Sequence, residues 1–205
     1  KRLRPALVLL SGSFHRYDPA ILLPMAVAVE VLHTATLVHD DAIDHSALRR
    51  GRPTVYHLWG ETKAVLLGDY LLAQAEELAS ETENTRVVRL FARALKTLAA
   101  GELGQATSAF NAAQTREQYF ARIAAKTSSL TTLATESGAI LSGAPETVIT
   151  ALRDYGHNLG IAFQVVDDIL DFVGDEAEMG KPTGADLLEG TLTLPAMLYL
   201  EHNSE

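Results

Sequence analysis

From Ile21 to Asp40 the side chains Ile21, Leu22, Met25, Val29, Leu32 and Thr36 recur at steps of three and four residues. That spacing lines one face of an α-helix, and it continues through most of the chain. Asp18-Pro19 opens the segment well, because Asp caps a helix start and Pro fits the first helical position. Further helices are predicted over about Lys63–Ser80, Asn84–Phe110, Arg116–Leu141, Glu146–Phe172 and Leu192–Tyr199. Arg50-Gly51-Arg52-Pro53, Gly143-Ala144-Pro145 and the Gly174–Gly184 stretch separate them. No run of β-branched residues at period two is long enough for a sheet. The expected fold class is all-α, a bundle of long helices in one domain spanning residues 1–205.

Composition narrows the function. With 47% hydrophobic residues the chain can bury a sizeable core, and the absence of cysteine excludes disulfides, thiolate metal sites and a cysteine nucleophile. Seventeen Lys and Arg against 26 Asp and Glu give a net charge of −9, which disfavours nucleic acid as a partner. The longest uninterrupted apolar run, Ala20–Val29, is too short for a bilayer, so no transmembrane segment is expected. No signal-peptide pattern is visible, and a cytoplasmic protein is the expectation. The chain begins at Lys1 rather than Met, so an N-terminal piece is expected to be missing.

Two segments end alike. Asp40-Asp41-Ala42-Ile43-Asp44 and Asp167-Asp168-Ile169-Leu170-Asp171 both close an apolar helical run with Asp-Asp-x-x-Asp. Residues four apart share a helix face, so Asp40 and Asp44, like Asp167 and Asp171, present two carboxylates together. Such crowding costs about 0.2–0.5 kcal/mol per pair in an isolated helix, and a helix C-terminus is the unfavourable end for anions. A chain that accepts this twice uses something to offset it. Oxygen-only donors suit a hard cation, and Mg²⁺ typically takes one or two carboxylates plus waters and substrate phosphates. Arg49, Arg50 and Arg52 follow the first cluster and Lys181 the second, while Lys1, Arg2, Arg4 and Lys126 lie elsewhere. Cations beside carboxylate clusters in an acidic chain point to a Mg²⁺-bridged diphosphate. A di-iron bundle would need two Glu-x-x-His motifs, and Glu30-Val31-Leu32-His33 supplies one.

These residues are recognisable together. Lys1-Arg2-Leu3-Arg4-Pro5, His39-Asp40-Asp41-Ala42-Ile43-Asp44, Leu48-Arg49-Arg50-Gly51-Arg52-Pro53-Thr54 and Phe163-Gln164 through Asp171 resemble the trans-isoprenyl diphosphate synthases, or polyprenyl synthetases. Gly180-Lys181, Gly184-Ala185-Asp186-Leu187 and Thr193-Leu194-Pro195 extend the resemblance over essentially the whole chain.

The resemblance implies a large antiparallel helix bundle around a central cavity. It also implies a Mg²⁺-dependent head-to-tail (1′-4) condensation of isopentenyl diphosphate with an allylic diphosphate. By that analogy Asp40, Asp41, Asp44, Asp167, Asp168 and Asp171 hold the metal. Arg49, Lys126 and Lys181 contact the allylic diphosphate, and Lys1, Arg4, His33 and Arg50 hold isopentenyl diphosphate. Thr127 and Gln164 line the reacting allylic carbon. A homodimer is implied, although some relatives are heteromers.

Chain length is read from the helix ending at Asp40. Thr36 lies one turn back on the Asp40 face, and Ala35 joins it by family resemblance; both are small. Small residues there, with the compact first motif, lead to the expectation of a medium- or long-chain polyprenyl product. Geranylgeranyl diphosphate is the alternative product. A class I terpene cyclase and a non-catalytic synthase subunit are the competing functions. Two departures from the family pattern stand out: Thr191 occupies a position where Lys is common, and the chain stops at Glu205 while the family continues, so a chain shortened at both ends is expected.

Overall fold

The computed structural model describes residues 2–174 and 183–203. The chain forms α1 (Leu3–Gly12), α2 (Pro19–Ile43), a ribbon of β1 (Leu48–Arg49) and β2 (Arg52–Pro53), α3 (Val55–Trp59) and α4 (Glu61–Ser80). It continues through α5 (Thr85–Ser108), α6 (Arg116–Ile123), a π-helical turn (Ala124–Ser128), α7 (Ser129–Leu141) and α8 (Glu146–Val173). The short α9 (Ala185–Leu188) and α10 (Leu194–His202) follow. The all-α class expected from the periodicity is therefore observed, with one two-residue ribbon among the described residues.

Local chemistry explains the element ends. Asp18 accepts a hydrogen bond from the backbone N–H of Ala20 and Pro19 occupies the first turn of α2. Thr115 and Gln118 form a reciprocal capping box at the start of α6. The ribbon turns through Arg50 and Gly51, both at positive φ (52° and 74°), the backbone twist that a two-residue hairpin requires. Strands of two residues are too short to leave a period-two pattern in the sequence. Helix α1 was also not anticipated.

The chain divides into two compact units. The first comprises Lys1–Arg93 with Leu130–Gly156, and the second Ala94–Ser129 with His157–Glu205. In the first, α2 packs on α1 and α4. Its buried side carries Leu22, Met25, Val29, Leu32, Ala35 and Val38. In the second, Tyr119, Ile123 and Met197 are buried together, flanked by Ile161, Val165, Leu192 and Leu194.

By length and composition helix α2 is apolar enough to cross a membrane, although its longest uninterrupted apolar run is too short. In this fold 44% of its most apolar window is buried inside the protein, against the helices just named.

Several glycines permit close packing in the first unit, and two of them differ in what they approach. A Cβ on Gly68 of α4 would stand 2.2 Å from the His39 ring on α2, and one on Gly138 of α7 would stand 2.3 Å from the Val8 carbonyl oxygen on α1. A side chain can rotate away, and a backbone carbonyl inside a helix cannot. Gly138→Ala is therefore expected to lose at least the ~1–3 kcal/mol typical of overpacking, and Gly68→Ala less. Urea unfolding of the two variants tests this; an equal or larger loss at Gly68 would contradict the close backbone approach.

Candidate functional site

In the first unit the functional groups gather at the C-terminal end of α2. Each helical residue turns about 100° from the last, so adjacent aspartates cannot share an environment. Asp40 is half-buried, Asp41 is only 6% exposed, and Asp44, the C-terminal cap, is exposed. The inward Asp41 accepts a hydrogen bond from Arg49 Nε at 2.6 Å. The hairpin thus supplies the cation that a buried carboxylate requires. Arg50, the next residue, is exposed at the turn in a left-handed conformation. Such a conformation in a non-glycine residue costs of order 1–3 kcal/mol and is concentrated at functional sites.

Arg4 and His33 are half-buried in the same unit. The Arg4 Nε is buried without a hydrogen-bond partner. Burial lowers the Arg4 pKa, and the nearby Glu30 carboxylate works in the opposite direction. Burial, then Arg4, Arg50 and Arg49, push the His33 imidazole down to about 4, so it is neutral near pH 7. A neutral imidazole under the influence of three guanidinium groups, with a buried donor to spare, is chemically an anion site. Thr36 is half-buried and its hydroxyl donates to the His33 carbonyl at 2.9 Å, whereas Ala35 has no exposed surface.

In the second unit Lys126 and Thr127 lie on the π-helical turn Ala124–Ser128, which interrupts the single helix expected over Arg116–Leu141. Such single turns widen a helix locally and occur frequently at functional sites. Lys126 Nζ pairs with Glu102 at 3.0 Å and lies 3.4 Å from Gln105 Oε1. The buried Thr127 hydroxyl donates to Gln164 Oε1. Gln164 Nε2 in turn donates to Asp168 Oδ1 at 2.8 Å. The other oxygen, Asp168 Oδ2, accepts from the Tyr119 hydroxyl at 2.7 Å.

Asp168 is only 3% exposed, and burial raises its pKa against the opposing effect of these two hydrogen bonds. Burial and the contact with Asp168 likewise raise the Tyr119 hydroxyl far above its ordinary range. Asp167 is exposed. Asp171 is fully buried: its carboxylate accepts from the Asp186 backbone N–H at 3.3 Å and its carbonyl from that of Gly184 at 2.7 Å. The Gly184–Asp186 segment therefore covers Asp171 while Asp167, one turn back on the same helix, stays open to solvent.

The structure brings Arg4, His33, Asp40, Asp41, Asp44, Arg49 and Arg50 into one unit, and Lys126, Thr127, Gln164, Asp167, Asp168 and Asp171 into the other. Lys1 and Lys181 lie outside the described residues. Among the described residues no three His, Asp or Glu side chains converge closely enough to cage a metal ion by themselves. Sequence reasoning missed Tyr119 and Arg122. The Arg122 guanidinium lies 5.6 Å from the centre of the Tyr119 ring and donates to Gln114 Oε1 and the Leu192 carbonyl. The available signal was spacing: Tyr119, Ile123 and Thr127 follow one another at four-residue steps.

Comparison with known proteins bears on this geometry. All of residues 1–205 match the family model described as polyprenyl synthetase. The chain is 42% identical over 200 residues to heptaprenyl diphosphate synthase component 2 of Geobacillus stearothermophilus, covering 98% of this chain and 62% of that one. A heptaprenyl diphosphate synthase structure from Staphylococcus aureus superposes with a TM-score of 0.96 at 41% identity, over 100% of this chain and 65% of that one. A polyprenyl synthase from Caulobacter crescentus, complexed with calcium and isoprenyl diphosphate, superposes with a TM-score of 0.93 at 41% identity, over 98% and 61%. The chain thus spans about three fifths of the length of these relatives.

The His33 environment generates a pH prediction. Between its folded pKa of about 4 and its ordinary 6.5, the unfolded chain binds a proton that the folded chain refuses. Stability therefore rises with pH through this window, and His33 lowers it as pH falls from about 6.5 toward 4. His33→Gln is expected to lose less stability than wild type between about pH 7 and pH 4.5 in urea unfolding. By NMR the His33 midpoint should lie near 4 and rise in Arg4→Gln. A midpoint near 6.5 in wild type would contradict the cationic cluster.

Proposed function

Because the chain belongs to the polyprenyl synthetase family, we propose that its protein is a prenyltransferase. It condenses isopentenyl diphosphate head-to-tail (1′-4) with an allylic diphosphate to give a longer all-trans polyprenyl diphosphate. One observation carries this reading. The Arg4–His33–Arg50 cationic group and the Asp40–Asp41–Asp44 carboxylates with Arg49 occur in a single compact unit. An anion held by cations alone, and a second anion held with a metal, are what two diphosphate substrates require.

The donor set fits Mg²⁺. Every candidate ligand is a carboxylate oxygen, and Mg²⁺ needs only one or two carboxylates when phosphate and water complete its shell. Asp40, Asp44 and Asp167 carry accessible carboxylates for it. Calcium with isoprenyl diphosphate in the Caulobacter relative supports a divalent cation beside a diphosphate here as well. Bound there, Mg²⁺ would supply charge stabilisation for the departing diphosphate.

The side chains do the rest. Arg49 and Lys126 stabilise the negative charge that develops on the leaving group. Arg4, Arg50 and neutral His33 orient the isopentenyl diphosphate so that its double bond is the available nucleophile. Thr127 and Gln164 offer oxygen lone pairs to the electron-poor allylic carbon without attacking it. The proton lost at the end goes to the released diphosphate. As for assembly, the component designation of the Geobacillus relative supports a partner subunit of different sequence alongside the homodimer reading. Light scattering of the protein purified alone and with a co-expressed partner distinguishes the two.

The function is tested by incubating the protein at its full native length with labelled isopentenyl diphosphate, an allylic starter and Mg²⁺. A longer labelled allylic product is expected. Hydrocarbon from the allylic substrate alone would indicate a cyclase, and no turnover a non-catalytic subunit. Asp40→Ala and Asp167→Ala are each expected to lower turnover by about a hundredfold to a thousandfold or more while circular dichroism stays helical. Near-normal rates at saturating Mg²⁺ would refute the paired-cluster reading.

Product length follows from α2. The Geobacillus and Staphylococcus relatives named above are heptaprenyl diphosphate synthases, which supports a medium- or long-chain product over geranylgeranyl diphosphate. Thr36, half-buried near the Asp40 end, is the position where bulk can block a growing tail. Ala35 has no exposed surface, so an aromatic there overpacks the core. Thr36→Phe is expected to shorten the product by several units, and Ala35→Phe to lower the melting temperature instead. Chromatography of the dephosphorylated products, with thermal melts, checks both; unchanged product lengths in Thr36→Phe would remove Thr36 from this role.

A further inference from the structure

The second unit holds a continuous hydrogen-bonded chain, Tyr119–Asp168–Gln164–Thr127, that begins at a residue with no assigned role. An ionised carboxylate can only accept, so both of its neighbours must donate. Tyr119 gives its single hydroxyl proton to one Asp168 oxygen, and the Gln164 amide nitrogen donates to the other. With the amide nitrogen committed, the Gln164 oxygen faces Thr127 and accepts the Thr127 hydroxyl proton. Each step leaves one orientation for the next group. At the far end the Thr127 hydroxyl proton is spent, and Thr127 Oγ1 and Gln164 Oε1 keep lone pairs; the second Gln164 N–H sits on the amide nitrogen, the end of the amide that is turned toward Asp168.

The beginning of the chain is held firmly. The Tyr119 ring has no exposed surface, packs with Ile123 and Met197, and lies beside the Arg122 guanidinium. Arg122 is itself tied to Gln114 and to the Leu192 carbonyl. A buried tyrosine needs a partner for its hydroxyl, and here that partner is one of the clustered aspartates.

We infer that Tyr119 is a positioning residue: through Asp168 it fixes the amide orientation of Gln164 and the hydroxyl rotor of Thr127, so that these two residues turn lone pairs, and no proton, toward an electron-poor carbon. The inference deepens the proposed prenyl transfer and rests on it. A hydroxyl free to rotate would present its proton to developing positive charge for part of the time; a hydroxyl whose proton is committed cannot. Selection of acceptor over donor is thus decided three residues away from the reacting carbon, by a phenol that does not touch it.

The test is Tyr119→Phe in the full-length protein, which keeps the ring and removes one donor. With isopentenyl diphosphate, an allylic diphosphate and Mg²⁺, kcat is expected to fall roughly tenfold, the scale of a lost hydrogen bond to a charged group. Both KM values should stay within about twofold, since substrate binding groups are untouched. Thr127→Ala lowers kcat too, and because both changes disable one chain, the double variant should be no slower than the slower single variant. Independent, multiplicative losses would overturn the inference. A second readout does not need turnover: the Gln164 side-chain amide resonance in ¹⁵N NMR should move in Tyr119→Phe. An unmoved resonance overturns the positioning role whatever the rates, whereas a wild-type protein that makes no condensation product, with that resonance still shifting, overturns the prenyl-transfer reading instead.

Discussion

A carboxylate carried into the interior at the end of an apolar helix must be met by a donor, or burial costs more than the helix can sustain. This requirement organises the functional parts of the molecule. In an Asp-Asp pair on a helix the 100° step sends one side chain outward when the other turns inward. Asp41 and Asp168 are the inward members, and each has its own protein partner: Arg49 for the first, Tyr119 and Gln164 for the second. Of the other members, Asp40 is half-buried and Asp167 is exposed. Each Asp-Asp pair therefore holds one buried carboxylate bonded within the protein and one with greater contact with solvent.

The partners then position further groups. Arg49 cannot reach Asp41 unless the chain reverses soon after α2, and it does so around His45, which is at positive φ (50°), with the Ser46 backbone N–H donating back to the Asp41 carbonyl at 3.0 Å. Arg50 consequently joins Arg4 and Arg49 in adding to the effect of burial, which lowers the His33 pKa. In the second unit the π-helical turn and the Asp168 chain fix Thr127 and Gln164 together, so backbone irregularity and side-chain bonding serve the same two residues. Asp171 plays a third part, since it holds the Gly184–Asp186 segment against the end of α8.

Much of this was legible in the residues alone. Three- and four-residue spacing located the long helices, and the Asp18-Pro19 and Gly143-Ala144-Pro145 signals located their breaks, because helix ends depend on chemistry within a few residues. The repeated Asp-Asp-x-x-Asp and the arginines after Asp44 identified carboxylate and cation clusters, since net charge and spacing do not need a tertiary fold to be read. Helix α1, the two-residue strands and the π-helical turn were not legible: the first has few turns, the second has no period, and the third differs from an α-helix by a single residue.

What the sequence by itself determined is the helical class, the family and the types of group at the site, because periodicity, capping and ligand chemistry are local properties of the chain. What only the tertiary structure decided is which of those groups is buried and what it bonds. Nothing in Asp40-Asp41 or Asp167-Asp168 says which carboxylate turns inward, and nothing in Tyr119 says that its hydroxyl meets Asp168, 49 residues away. Those outcomes depend on how helices distant in sequence pack, and burial converts an ordinary aspartate or tyrosine into a group whose hydrogen bond must be made.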